Sequence, residues 1–293
     1  MRSTVSKMLR SQAKLLDFGR RQWTVSCLSR FLSQDSKLTL VEVDDETGIT
    51  TLTMNRPPVN SCNLELLQDL KESIKQIECN KSRGLILTSS NDRVFSSGLD
   101  LNEMHKPNQE RLVAFWRTLQ EMWLSLYLCS VPTAAAINGH ALAVGCVLSA
   151  ACEYRVMLPG FNIGIHATKF GYVVPPFIVN SYLSVLPRFI VERALLQGKL
   201  FTTEEALQVQ LIDEVANSKN EAISKCADFI TSFAGTNPEA RALTKRQFRD
   251  QDVQLLIDDP EGQLHECLEY INSPFMQDNL DGYLAKLKSK NKK

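Results

Sequence analysis

The chain has 293 residues, with 33 Lys and Arg balanced by 33 Asp and Glu, 44% hydrophobic and 23% charged side chains. These proportions fit a globular protein long enough to bury a sizeable core, and 13 Gly and 11 Pro are too few for a collagen-like or low-complexity chain. A membrane-spanning helix is excluded as well, because the longest apolar-rich stretches, around residues 134–142 and 172–179, are interrupted well short of ~20 residues.

At the start of the chain, residues 1–34 hold seven basic residues (Arg2, Lys7, Arg10, Lys14, Arg20, Arg21 and Arg30), one acid, Asp17, and six serines. Met8, Leu9, Leu15, Leu16 and Phe18 recur there at roughly helical spacing. A basic, Ser-rich, acid-poor segment of this kind reads as a mitochondrial transit peptide, with processing near residues 30–33 and delivery to the mitochondrial matrix. The competing reading is a basic tail for nucleic acid or lipid headgroups. Without this segment, 26 basic residues face 32 acidic ones, a balance that argues against a nucleic-acid partner.

The elements then follow in order. Residues 38–43 and 48–54 alternate as a β-hairpin about the turn 44–47, and Arg56-Pro57-Pro58 stops it. Residues 63–77 carry apolar side chains at helical spacing. A short strand at 84–88 leads into a loop at 91–100, followed by a long amphipathic helix at 109–129. The aromatic run Phe115, Trp116, Trp123 and Tyr127 on that helix reads as core. A buried strand at 131–137 passes through the turn Asn138-Gly139 into a helix of small residues at 143–152, and a further strand is expected at 154–158. From Pro187 onward the pattern is almost wholly helical. Thr202 and Glu205 form a capping box, and helices are expected near 220–234, 238–250 and 277–288. Strands alternating with helices predict an α/β architecture, and no Ser/Gly linker divides it.

Eight cysteines, at 27, 62, 79, 129, 146, 152, 226 and 267, show no Cys-x-x-Cys spacing and read as reduced thiols. The histidines at 105, 140, 166 and 265 are too dispersed to propose a metal site.

Three segments carry the functional signal: Val94-Phe95-Ser96-Ser97-Gly98-Leu99-Asp100-Leu101, residues 136–146, and residues 162–171. Together with Asn55-Arg56-Pro57-Pro58-Val59-Asn60-Ser61, Ala136-Ile137-Asn138-Gly139 and Cys152-Glu153-Tyr154-Arg155, they resemble the crotonase (enoyl-CoA hydratase/isomerase) superfamily, and within it the mitochondrial Δ3,Δ2-enoyl-CoA isomerase branch. Glu205-Ala206-Leu207-Gln208-Val209 with Leu211-Ile212-Asp213 resembles the family's helix-to-strand segment. The resemblance spans about residues 37–290. It implies one crotonase-like domain over 35–293: a spiral of repeated ββα units to about residue 200, then a helical C-terminal region over 201–293.

The resemblance also implies a chemistry. The family binds acyl-CoA thioesters and stabilises the enolate formed at the thioester carbonyl with two backbone N–H groups, which it assigns here to Ser97 and Val144. Main-chain donors are preorganised, and a helix N-terminus adds partial positive charge. Ser97, Gly98, Leu99, Asp100, Leu101, Val144 and His166 become the candidate substrate contacts. Gly98 allows close approach of the substrate, and Asp100 holds the loop. Arg56, Arg93, Lys106 and Lys169 are candidates for the CoA phosphates.

The pattern breaks at the base. Isomerisation needs a group that takes a proton from C2 and returns it to C4. The family's Glu falls at Ala167, with His166 in place of the preceding Asn, and the hydratases' second Glu falls at Val147. No Asp or Glu lies between Glu153 and Glu192. His166, with an ordinary pKa of ≈ 6.5, is the substitute base to examine. The readings that follow are an isomerase of fatty-acid β-oxidation, a catalytically impaired relative that binds acyl-CoA or assembles with active subunits, or a thioester hydrolase. A homotrimer is implied, with hetero-oligomers of related subunits as the variant. No metal or redox cofactor is implied, since coenzyme A arrives as part of the substrate.

Overall fold

The computed structural model describes residues 38–290; the expected transit peptide over 1–34 lies outside them. The hairpin forms as expected. Strands β1 (Thr39–Val43) and β2 (Ile49–Met54) pair antiparallel, with Thr39 opposite Met54. Their turn is held by the Asp44 carboxylate, which accepts from the N–H of Glu46 and Thr47.

From β3 (Gly84–Ser89) the chain winds between two sheets. Strands β3, β5 (Thr133–Ile137) and β7 (Tyr154–Met157) enter a six-stranded sheet of order β1-β2-β3-β5-β7-β10, parallel beyond β2, with β10 at Glu214–Val215. The strand after each of these enters a second, four-stranded sheet: β4 (Val94–Ser96), β6 (His140–Leu142) and β8 (Asn162–Gly164), closed by antiparallel β9 (Leu200–Thr202). Each turn of the spiral is therefore two strands in different sheets followed by a helical segment. The expected loop at 91–100 contains β4, and His140, expected in a loop, lies in β6, where its Nδ1 accepts from the Asn162 N–H at 3.0 Å.

The inner strands β2, β3, β5 and β7 are buried on both faces, whereas the edge strand β1 is largely exposed, and strand alternation divides the inner side chains. Leu85, Leu87, Ala135, Ile137 and Met157 join the main core. That core includes helix α1 (Leu64–Cys79), capped by the Asn63 side chain, and helix α2 (Gln109–Tyr127), capped by Asn108. Phe115, Trp116, Trp123 and Tyr127 of α2 are all buried in it. Ile86, Ala134, Ala136 and Val156 point the other way, onto Ala222, Cys226 and Ile230.

Helix α3 (Val144–Ala151) is buried along its whole length, which its small side chains permit. Helices α4 (Pro176–Leu183) and α5 (Arg188–Gln197) follow. Then α6 (Thr203–Gln208) begins with the expected Thr202–Glu205 capping box, and α7 (Lys219–Thr231) carries the residues that cover the sheet's second face. Helices α8 (Pro238–Asp258), α9 (Pro260–Asn272) and α10 (Pro274–Lys290) complete the helical C-terminal region.

Candidate active site

The first loop leaves β4 with nearly every main-chain group engaged. The Ser96 hydroxyl donates to the Asn60 carbonyl at 2.7 Å, and the Ser97 N–H donates to the Val59 carbonyl at 3.0 Å. The Gly98 N–H donates to Ser96 Oγ at 3.2 Å. Cys62 then forms a parallel bridge around Leu99: its N–H donates to the Gly98 carbonyl at 2.7 Å, and its carbonyl accepts from the Asp100 N–H at 2.9 Å. In such a bridge the central residue turns its own N–H away from the partner strand. The Leu99 N–H accordingly has no acceptor among the described residues. The Ser97 N–H, expected to face the substrate, is engaged by Val59, and the donor of the loop without an acceptor among the described residues is that of Leu99.

The loop is anchored from outside. Asp100 accepts from Arg56 at 2.9 Å, and its other carboxylate oxygen caps Asn102 at 3.1 Å. Arg56 also donates to the carbonyl of Ser61 at 2.8 Å, so it serves the loop and is not an open phosphate ligand. Lys106 is paired with Asp281. Arg93 and Lys169 have no ion pair among the described residues. Leu101 starts a 3₁₀ turn, Leu101–Glu103, and packs with Leu99 against the main core.

The second loop enters α3 through Ala143, whose φ of +49° and ψ of −115° are unusual for an L-residue. Its N–H donates to the Gly164 carbonyl at 2.8 Å. Val144 occupies the first helical position, where an N–H has no partner within the helix, and no side chain caps this end. The two loops are in contact. A β-carbon on Gly98, whose φ is +102°, would stand 2.7 Å from Ala143 Cβ, 3.2 Å from the Leu142 carbonyl oxygen and 3.6 Å from Val144 N. One on Gly145 would stand 2.7 Å from the Ser96 carbonyl oxygen. The backbone carrying the Leu99 and Val144 N–H groups thus meets at a point that only glycine at 98 permits.

The third segment runs from β8 through Ile165 and His166 into a 3₁₀ turn, Ala167–Phe170. Ala167 is 5% exposed and Val147 3%, both within the main core. His166 is half-buried. Its Nδ1 is buried without a hydrogen-bond partner among the described residues, and burial first, then the charge of Lys169, lowers its pKa below the usual histidine range. The buried carboxylate nearest in sequence to the first loop, Glu103, is fully engaged: it accepts from the Leu64 N–H at 3.1 Å and from Arg111 at 2.6 and 2.8 Å. Beneath the first loop, burial pushes the Cys62 thiol up to about 11, so it is not a thiolate nucleophile at neutral pH. Among the described residues, no cluster of three or more His, Cys, Asp or Glu is arranged to hold a metal ion.

Comparison with known proteins gives a consistent picture. The profile of the family described as enoyl-CoA hydratase/isomerase matches residues 44–293. Enoyl-CoA delta isomerase 1, mitochondrial, from Rattus norvegicus is 36% identical over 258 residues, covering 87% of this chain and 89% of the relative. The protein of the same name from Homo sapiens is 34% identical over 256 residues, covering 86% and 84%. The crystal structure of human mitochondrial delta3-delta2-enoyl-CoA isomerase superimposes with a TM-score of 0.83 at 34% identity, covering 86% of this chain and 99% of that one. An enoyl-CoA hydratase structure from Bacillus halodurans, at 24% identity and a TM-score of 0.74, shares the fold.

Proposed function

The chain belongs to the enoyl-CoA hydratase/isomerase family, and from that premise we propose that it is a Δ3,Δ2-enoyl-CoA isomerase-like protein of mitochondrial fatty-acid β-oxidation. It binds acyl-CoA thioesters in the matrix, as a homotrimer or in hetero-oligomers with related subunits. The carrying observation is the contact of Gly98 with Ala143 and Val144, which brings together two loops whose Leu99 and Val144 N–H groups have no acceptor among the described residues. A thioester oxygen held between them gains negative charge as the C2 proton leaves, and donors already in place stabilise that charge without reorganising. Losing one such donor typically costs about 10²–10³ in rate.

The proton shuttle is the incomplete part. Ala167 and Val147 give apolar walls where carboxylates serve the family's proton transfers, which leaves the neutral imidazole of His166 as the group in the third segment able to accept a proton. The same two residues favour a second reading, a relative that binds and polarises acyl-CoA but turns it over poorly.

Isomerisation of a 3-enoyl-CoA by the chain and its Ala167→Glu variant separates the two. Parent turnover in the ordinary enzyme range of roughly 1–10³ s⁻¹ supports the isomerase, and its loss in His166→Ala then identifies the base. An inactive parent with an active Ala167→Glu variant supports the binder. A parent and variant that neither bind nor turn over acyl-CoA overturn both.

A further inference from the structure

The second and third functional segments leave the same short strand pair. Backbone pairing of β6 with β8 runs from Ala141 opposite Ile163 to Leu142 opposite Gly164, and so short a pairing fixes its register only weakly. Two further bonds bracket it. At the far end the Ala143 N–H donates to the Gly164 carbonyl at 2.8 Å. At the near end the acceptor is a side chain: His140 Nδ1 takes the Asn162 N–H at 3.0 Å. On its other side His140 gives its own N–H to the Arg93 carbonyl at 2.9 Å. One residue thus ties β6 both to β8 and to the segment entering β4.

The bond to Asn162 fixes the state of the ring. A backbone N–H only donates, so Nδ1 carries a lone pair and the proton sits on Nε2. An imidazolium would set N–H against N–H. The ring stands edge-on to Phe161, with centroids 5.1 Å apart and planes at 84°. Strands β4 and β8 hold no titratable side chain, and α3 holds only Cys146, whose thiol donates to the Tyr182 hydroxyl at 3.3 Å. The charge that reaches His140 is that of Arg93. Burial first, then Arg93, lowers the His140 pKa below the usual histidine range, so the ring is an acceptor at neutral pH.

We propose that neutral His140 is a positioning residue for the second loop: its bond to Asn162 sets β6 on β8 and so aims the Val144 N–H, and protonation of the ring releases that aim. The inference rests on the reading of Val144 as a thioester donor. Ala143 and Val144 follow β6 directly, and Ile165 and His166 follow β8. A shift between the two strands therefore moves the donor against the third segment. Misplacements of about 1 Å can cost on the order of 10²-fold at such sites. Affinity for an acyl thioester accordingly falls as pH drops through the folded pKa of the ring, below about 6.5.

Titration calorimetry of the full chain with octanoyl-CoA between pH 5 and 7.5 tests this on the parent, His140→Asn and His140→Phe. Asparagine sets an amide oxygen near the place of Nδ1 and does not titrate, whereas phenylalanine keeps a ring against Phe161 and accepts nothing. The ligand's phosphates and His166 titrate alike in all three proteins, so the differences belong to residue 140. The parent should lose at least about threefold more affinity than His140→Asn between pH 7.5 and 5. At pH 7.5 the asparagine variant should stay within about twofold of the parent, and His140→Phe should bind about tenfold more weakly. Identical pH profiles for the parent and His140→Asn overturn the proposal, as does parent-like affinity in His140→Phe.

Hydrogen exchange keeps the test separate from the reading beneath it. In peptides spanning residues 140–147, the parent should exchange several-fold faster than His140→Asn at pH 5 and at the same rate at pH 7.5. If octanoyl-CoA binds none of the proteins at any pH, Val144 is no thioester donor, and the exchange difference alone decides: its presence upholds the hold of His140 on the second loop, and its absence overturns it.

Discussion

At Gly98 the backbone sits at φ +102°, and a β-carbon there would overlap that of Ala143 at 2.7 Å. Gly98→Ala is therefore expected to cost about 1–3 kcal/mol in stability from the enforced backbone conformation. It should also weaken acyl-CoA binding at least tenfold by parting the two loops, both read from thermal melts with and without octanoyl-CoA. His166 yields a pH prediction at the same scale. Burial, with Lys169 second, disfavours its imidazolium, so its folded pKa lies below the 6.5 of the unfolded chain. Between those values the unfolded chain binds more protons, and stability rises with pH. The penalty is absent above about pH 6.5 and grows as pH falls below it. His140 shifts in the same direction through burial and Arg93. Melting temperatures of His166→Asn between pH 5 and 7 should thus vary less than those of the parent, and an unchanged slope would remove His166 from the account. Residue identity made the first loop legible, but which of its donors is free was not. That depends on Val59 and Cys62, far away in sequence, which take up Ser97 and leave Leu99.

Among the elements, long periodic ones were legible and short ones were not. Helices α1 and α2 carry enough apolar positions for a 3.6-residue period to show. Strands β4, β6 and β8, with three residues each, are too short for alternation to appear, so the second sheet went unseen although it supports all three functional segments. Pro260 and Pro274 look like breakers in the chain, yet each is the first residue of a helix, where the missing N–H costs nothing. As a result α9 was absent from the expected elements and α10 was expected three residues late. Helix α3 was legible as a run of small residues, but not the strained entry at Ala143 that aims its first N–H. Replacing Ala143 with Gly should relieve a positive φ and raise stability by about 1 kcal/mol. For a domain this size that is roughly 2 °C in melting temperature. The same change loosens the helix entry, so affinity for acyl-CoA should fall while Tm rises. A variant that gains both would show that the strain does not serve binding.

For the molecule as a whole, one buried ionic cluster fastens the helical C-terminal region to the spiral. Glu153, just before β7, is paired with both Lys245 and Arg241 of α8. Lys245 also donates to the Cys129 carbonyl at 2.8 Å, and Arg249 donates to the Ala151 carbonyl at 2.8 Å. Burial by itself would raise the Glu153 carboxyl, but the charges of Lys245 and Arg241 outweigh it and hold its pKa below the usual range. Glu153 consequently contributes stability above its unfolded pKa, ≈ 4.3, and loses it as pH falls through its lower folded value. The partners are unequal. Glu153→Gln leaves two buried cations without a counter-charge and should cost about 3–5 kcal/mol. Lys245→Met leaves the carboxylate still paired with Arg241 and should cost less, roughly 2 kcal/mol. The double variant Glu153→Gln with Lys245→Met should then be less destabilised than the two single changes added together, because removing the buried lysine relieves part of what the lost carboxylate imposed. Urea denaturation of the four proteins at pH 7 measures this directly. Additive losses would mean that Glu153 and Lys245 are not coupled to each other and that each acts through its other partners.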